Sequence, residues 1–139
     1  MSETSSRVIP MSYMGIPFSQ DPTGSRAAIL GIPFDCGTHP TRIGARQGPD
    51  AIRTQSSLVR PYYPPDFDFN PLELLNLVDC GNVACVPGEV ESAMATIECV
   101  VSEICHAGAV PVTMGGDGLV SLPQLRALSK VHTDLALVH

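Results

Sequence analysis

Two glycine-rich loops hold most of the residues that could take part in chemistry. The first, Gly115-Gly116-Asp117-Gly118, directly follows the apolar run 109–114. Glycines let a backbone turn tightly and approach a ligand closely, and this loop would direct the Asp117 carboxylate away from the end of a strand. The pattern is also typical of a plain strand-to-helix turn in which Asp117 caps the helix, and spacing alone favours that interpretation. A dinucleotide-binding loop or a P-loop fits less well, because neither GxGxxG nor a following Lys-Ser/Thr is present.

The second loop, residues 33–48, combines several glycines with polar and charged side chains. These side chains are Asp35, Thr38, His39, Arg42 and Arg46. Such a loop suits anion binding or a substrate entrance. The alternative is that Arg42 and Arg46 only fasten a long loop to carboxylates and backbone carbonyls, and the residue types fit both interpretations equally. His39 precedes a proline in a turn, where a histidine more often faces solvent than binds a ligand.

The elements that position these loops follow from the apolar pattern. Four apolar runs predict strands over 26–32, 74–79, 109–114 and 134–139. Helices are predicted from Gly48-Pro49 onward, over 88–107 and over 119–130. In the first helix, Ala51, Ile52 and Leu58 are predicted to face inward.

This alternation predicts βαβ units, and hence an α/β fold of three layers with helices on both faces of a mostly parallel sheet. In such sheets ligands bind at the carboxyl ends of the strands, which is where both loops would lie. Residues 1–25 are polar and interrupted by prolines, which predicts an irregular amino-terminal arm. Residues 26–139 are predicted to belong to one α/β domain.

Composition excludes several classes of function. The formal net charge is −6 with only eight Lys and Arg, so phosphate backbones have little to bind and nucleic acid is not an expected partner. The apolar stretches are well short of the roughly 20 residues that cross a membrane, and the first ten residues do not resemble a signal peptide. Five cysteines, an odd number, argue against a disulfide framework. We therefore expect a cytoplasmic protein without a membrane partner.

Several segments, in order along the chain, resemble the ureohydrolases, the family that includes agmatinase, arginase and guanidinobutyrase. These segments are Gly31–Thr38, Arg42–Arg53, Val78–Val83, Pro111–Asp117, Ser121–Pro123 and Leu135–His139. They are more similar to agmatinase and guanidinobutyrase than to arginase proper. The resemblance implies an arginase/deacetylase-like three-layer αβα fold, of which residues 26–139 would form the amino-terminal part and which would be incomplete at the carboxyl terminus. It also implies manganese-dependent hydrolysis of a guanidino compound, such as agmatine or guanidinobutyrate, to urea and an amine.

The metal ligands of that family do not carry over to this chain. Gly118 stands where the family has the His ligand of a Gly-Gly-Asp-His motif, and glycine offers no ligand atom. The next ligand motif, Asp-Ala-His-x-Asp, would begin two residues beyond His139. The resemblance leaves Asp117 with the role of supporting the metal ligands.

Because these ligands are missing, we do not expect this chain to be catalytic. We expect no catalytic residue and no metal ligand in this chain, and no manganese bound to it. Thr38, His39 and Arg42, from the loop 33–48, remain the substrate-entrance candidates. The expected protein is a truncated ureohydrolase, a pseudoenzyme that is inactive by itself. The alternative is a non-catalytic interaction protein that associates with a full-length family subunit, because family members form trimers or hexamers.

Overall fold

The computed structural model describes residues 11–37, 41, 43–59 and 69–138. Three parallel strands form one sheet in the order β2-β1-β3, and they are β1 (Ala27–Gly31), β2 (Val78–Asn82) and β3 (Val110–Met114). The helices are α1 (Gly48–Ser56), α2 (Pro71–Leu74), α3 (Val90–His106) and α4 (Ser121–Val131), with 3-10 turns at Tyr13–Gly15, Ala45–Gln47 and Gly118–Val120. None of the helices in the described ranges is both long and apolar enough to cross a membrane. The predicted α/β fold with a parallel sheet is confirmed.

The central strand β1 is buried on both faces, and all five of its residues are buried. Successive side chains of a strand point to opposite faces. Ala28 and Leu30 lie in the larger core, which α3 and α4 cover. Ala27 and Ile29 belong to a smaller cluster on the other face, together with Met114 and other apolar residues. This two-sided burial explains why β1 is an uninterrupted apolar run.

Helix α3 confirms the helix predicted over 88–107. It turns one apolar face inward, made of Ala93, Met94, Ile97, Val101 and Ile104. Gly108 follows the helix with a φ of +82°, the left-handed conformation that commonly ends a helix and that glycine adopts without strain. Together with α4, α3 covers one face of the sheet.

Helix α1 includes Pro49 in its first turn, as predicted, but it buries other residues than the predicted ones. Ile52 and Leu58 are 42% and 76% exposed and Ala51 is exposed, so the prediction that these three residues face inward is wrong. The helix instead buries Pro49, Arg53 and Ser56. Arg53 is buried because its guanidinium forms an ion pair with Asp79 of β2, at 2.8 Å.

Two strand predictions also need correction. The run 74–79 is not one strand, since α2 ends at Leu74 and β2 begins only at Val78. Asn70 starts that short helix by accepting a hydrogen bond from the N–H of Leu72 at 3.0 Å, so local capping overrides the apolar pattern. Residues 134–138 are exposed and form no strand, because none of the described strands pairs with them. His139 lies outside the described residues.

Residues 17–19, within the described part (11–25) of the predicted arm, lie along the edge of β2. Phe18 forms a parallel bridge with Asp79. The N–H of Asp79 donates to the carbonyl of Pro17 at 2.9 Å, and its carbonyl accepts from the N–H of Ser19 at 3.0 Å. The arm therefore extends the hydrogen-bonded sheet beyond β2 and covers that edge.

Candidate functional site

The loops that follow β1 and β3 meet at the carboxyl edge of the sheet. The two strands are parallel neighbours, paired from Ala27 with Val110 to Gly31 with Met114. The N–H of Asp117 donates to the carbonyl of Phe34 at 2.9 Å. The Oδ2 atom of Asp117 in turn accepts from the N–H of Gly37 at 2.8 Å. Asp117 therefore joins the two glycine-rich loops, which lie far apart in the sequence.

Asp117 also caps the 3-10 turn Gly118–Val120. The N–H of Leu119 donates to its Oδ1 atom at 2.9 Å, so the capping interpretation of this aspartate is confirmed. Both carboxylate oxygens thus accept hydrogen bonds from backbone N–H groups, and Asp117 makes a further interaction besides these. Its role in supporting metal ligands stays a prediction.

The two glycines that flank Asp117 have different surroundings. A Cβ atom added at Gly116 would overlap the carbonyl oxygen of Phe34, whereas one added at Gly118 would meet nothing within 4 Å. Gly116 is therefore required for the close approach of the two loops. Gly118, which stands at the predicted ligand position, has room for a Cβ atom.

Asp35 organises the loop that follows β1. It is 2% exposed and accepts from the N–H of Gly44 at 2.6 Å and from the Nε of Arg46 at 2.8 Å. The Nη2 atom of Arg46 lies 2.6 Å from the Oδ1 of Asp35. The hydrogen bond from Arg46 and that from Gly44 hold the pKa of Asp35 well below its usual range. Arg46 therefore fastens the loop, as the second interpretation predicted.

The remaining residues proposed for that loop cannot be placed at this edge. Thr38, His39 and Arg42 lie outside the described residues. Their assignment to a substrate entrance stays a prediction.

A buried ion pair, which the sequence did not predict, lies on the β2 side of the edge. Nε and Nη2 of Arg53 donate to the two carboxylate oxygens of Asp79, both at 2.8 Å, and Nη1 donates to Oδ1 of Asn82 at 2.6 Å. The N–H of Tyr13 also donates to Asp79, at 2.8 Å. Burial alone would raise the pKa of Asp79, but the hydrogen bonds from Arg53, from Tyr13 and from the N–H of Gly81 outweigh it and leave that pKa below its usual range. A carboxylate beside a buried apolar residue such as Val78 must be paired and hydrogen-bonded if it is buried. Asp79 in this sequence context was therefore the one available signal of the ion pair.

The described residues do not fit a manganese site of their own. Within the described ranges, no group of three or more His, Cys, Asp or Glu side chains is arranged to hold a metal ion. Gly118 has no side chain to supply a ligand atom, and the carboxylate of Asp117 accepts from Gly37 and Leu119. The donor chemistry of this part of the chain is therefore insufficient for the metal that the resemblance implies.

Comparison with known proteins identifies the fold. The sequence profile of the arginase family matches residues 25–139. The chain belongs to the arginase family. This confirms the family resemblance drawn from the loop and strand motifs, and it identifies the parallel sheet with its helices as part of an arginase fold.

The relatives with curated functions are longer than this chain. Guanidinobutyrase from Pseudomonas aeruginosa is 38% identical over 131 residues, which cover 92% of this chain and 40% of that protein. Agmatinase from Salmonella newport is 35% identical over 130 residues, which cover 91% of this chain and 42% of the agmatinase. The chain thus spans about 40% of the length of the curated relatives it matches.

Solved structures also place this chain in the arginase fold, as part of a longer protein. Proclavaminate amidinohydrolase from Streptomyces clavuligerus superposes with a TM-score of 0.86 at 34% identity, over 96% of this chain and 43% of that protein. Formiminoglutamase from Trypanosoma cruzi, whose structure contains Mn²⁺, superposes with a TM-score of 0.67 at 25% identity, over 89% of this chain and 42% of that one. Manganese therefore occurs in this family.

Proposed function

We propose that this chain is the amino-terminal part of a ureohydrolase of the agmatinase and guanidinobutyrase type. Such an enzyme hydrolyses a guanidino compound, with water, to urea and an amine, and it depends on manganese. The observation that carries the proposal is the pair of loops joined by Asp117 at the carboxyl edge of an arginase-type sheet. The 38% identity to a guanidinobutyrase supports a guanidino compound as the substrate. Thr38, His39 and Arg42 would contribute to the substrate entrance.

We also propose that the 139 residues do not catalyse this reaction by themselves. Water is a poor nucleophile at neutral pH, and metal binding lowers its pKa from 15.7 to about 7. That difference corresponds to roughly 12 kcal/mol of help in forming hydroxide. The described residues supply no cluster of donors that would hold such a metal, and the Gly118 position lacks a side chain. The remaining donors would have to come from polypeptide other than these residues.

Urea release tests this proposal directly. The purified chain would be incubated with Mn²⁺ and either agmatine or 4-guanidinobutyrate, and urea would be measured. We expect no release above the protein-free rate, and no tight binding of Mn²⁺ by isothermal titration calorimetry. The guanidinobutyrase of Pseudomonas aeruginosa, assayed in parallel, is the positive control.

The variant Gly118→His extends the test to the one ligand position that the chain reaches. Because a Cβ atom at position 118 would meet nothing within 4 Å, we expect the variant to fold, which circular dichroism would check. One added imidazole does not complete a metal site, so we expect this variant to be inactive as well. Urea release by either protein would contradict the proposal that these residues are insufficient alone.

A further inference from the structure

A small cavity lies between β2, α3 and the amino-terminal arm. Its volume is about 320 Å³, at the lower end of the roughly 300–1,000 Å³ that is usual for ligand pockets. Side chains from the arm, from β1 and β2, from the loop after β2 and from α3 form its wall. Among the described residues, neither glycine-rich loop contributes to that wall, so this cavity is separate from the candidate site at the loops that Asp117 joins.

The apolar part of the wall comes from three elements. Val100 and Ile104 lie one turn apart on α3, and both line the cavity. Leu30 of β1 and Pro22 of the arm, which are both buried, also line it. Because moving an alkyl group from water into such surroundings is favourable, this part of the wall suits a short alkyl chain.

Three polar side chains of the wall have oxygen atoms that can accept further hydrogen bonds. Within the described part of the chain, the carboxylate of Glu103 takes part in no ion pair and accepts only from the thiol of Cys99, at 3.6 Å. The hydroxyl of Thr96 donates to a backbone carbonyl of its own helix at 2.9 Å, which leaves the lone pairs of its oxygen available. Gln20, exposed in the arm, adds a side-chain carbonyl oxygen.

The charges around this cavity favour a cation. Among the described residues, its wall carries one charged side chain, that of Glu103, and no Lys or Arg. The thiol of Cys80 also lines it, and burial and then the negative charges of Asp79 and Asp21 raise the pKa of that thiol. Negative charge is therefore felt at the wall, in a chain whose formal net charge is −6. An anion of the same size would be disfavoured.

We propose that this cavity binds a small primary aliphatic amine in its ammonium form. An ammonium group carries three N–H donors and no acceptor, which matches the three acceptor side chains Glu103, Thr96 and Gln20. The alkyl chain of the amine lies against Val100 and Ile104. An alkyl amine titrates near the lysine pKa of about 10.4, so it is charged at neutral pH. This inference goes beyond the proposed function, because it rests on residues outside the two glycine-rich loops.

A titration with butylammonium chloride tests the inference. The isotope-labelled chain would be titrated at neutral pH and constant ionic strength, and its backbone amide signals would be followed by NMR. We expect saturable shifts of the signals of Gln20, Thr96, Val100 and Glu103, with a Kd on the order of 1 mM because so small a ligand has few atoms to bind. Methylammonium, which lacks most of the alkyl chain, should bind at least about fivefold more weakly. Butyrate and butanol, with the same chain length but an anionic or a neutral head group, should not saturate these signals at the concentration at which butylammonium does.

The variant Glu103→Gln tests the part that the carboxylate takes. It removes the charge and keeps the size of the side chain, at an exposed position where the fold should not depend on it. Glu91→Gln is the matched control, because Glu91 is exposed on the same helix but does not line the cavity, and both variants change the net charge equally. We expect Glu103→Gln to weaken the binding of butylammonium by at least about threefold, as the loss of a partly exposed ion pair does. Glu91→Gln should change it by less than about 1.5-fold, because salt screens a distant charge.

Three results would overturn the inference. One is the absence of saturable shifts at these four positions with butylammonium up to about 50 mM. Another is equal binding by the two glutamine variants, which would mean that the amine is attracted to the acidic chain as a whole. The last is binding of butanol as tight as that of butylammonium, which would make the cavity an apolar site without preference for a cation. Urea release is not a readout here, so its absence would bear on the proposed function alone.

Discussion

At the scale of single residues, Gly116 and Gly118 lie two positions apart but have different freedom to change. A Cβ at Gly116 overlaps the carbonyl of Phe34, and one at Gly118 meets nothing within 4 Å. Gly116→Ala must push apart the loops that Asp117 joins. We therefore expect it to lower the free energy of unfolding by about 1–3 kcal/mol, as other overpacking substitutions do. Urea denaturation of the 139-residue chain measures this change.

Gly118→Ala is the matched control for that measurement. Alanine has room at position 118 and restricts the unfolded chain more than glycine does, so we expect a stabilisation of about 0.4–1 kcal/mol. Equal losses of stability in the two variants would contradict the close approach of Gly116 to Phe34. Because the space next to Gly118 is open, the absence of a side chain at this predicted ligand position follows from the residue type and not from the shape of the loop.

At the scale of elements, α1 is held to β2 by the pair of Arg53 and Asp79, whose side chains are 6% and 0% exposed. Arg53→Met keeps much of the side-chain volume but leaves Asp79 buried without its guanidinium. We expect a loss of about 3–5 kcal/mol in the free energy of unfolding, the usual cost of removing one partner of a buried ion pair. Arg126→Met, at an exposed position on α4, should change it by less than about 0.5 kcal/mol. If both variants were equally stable, the pair would not anchor the helix.

The elements that the sequence predicted well are those whose signal is local. The range of α3 follows from helical spacing and from Gly108 at its end, and β1 follows from a continuous apolar run. The inward face of α1 was predicted wrongly, because the partner that buries Arg53 is Asp79, 26 positions away. A contact between residues far apart in the sequence also determines the arrangement of the two glycine-rich loops. The cap that Asp117 forms was an available interpretation, but its hydrogen bond to Gly37 spans 80 positions, and no spacing rule predicts such a contact.

At the scale of the whole molecule, two buried carboxylates link separate parts of the chain. Asp35 ties down the loop after β1, and Asp79 ties α1 and the amino-terminal arm to β2. Hydrogen bonds leave the pKa of each below its usual range. In the unfolded chain these carboxyls titrate near about 3.9, so the unfolded state binds more protons than the folded state as the pH falls through that region. Their contribution to stability is present above the unfolded-state pKa and is lost as the pH falls toward the lowered values.

We expect these two carboxylates to make the free energy of unfolding depend on pH. From pH 7 to about 5 these two carboxylates should leave the free energy of unfolding nearly unchanged, and from about pH 5 to 3 it should fall steadily. Urea denaturation at several pH values measures this slope. Asp79→Asn cannot take up that proton, so it should be less stable at pH 7 but lose stability less steeply below pH 5. Asp134→Asn, at an exposed position, should keep the wild-type slope. A wild-type slope in Asp79→Asn would mean that Arg53 and the arm do not hold Asp79 ionised, and that the link between α1, β2 and the arm is weaker than its geometry implies.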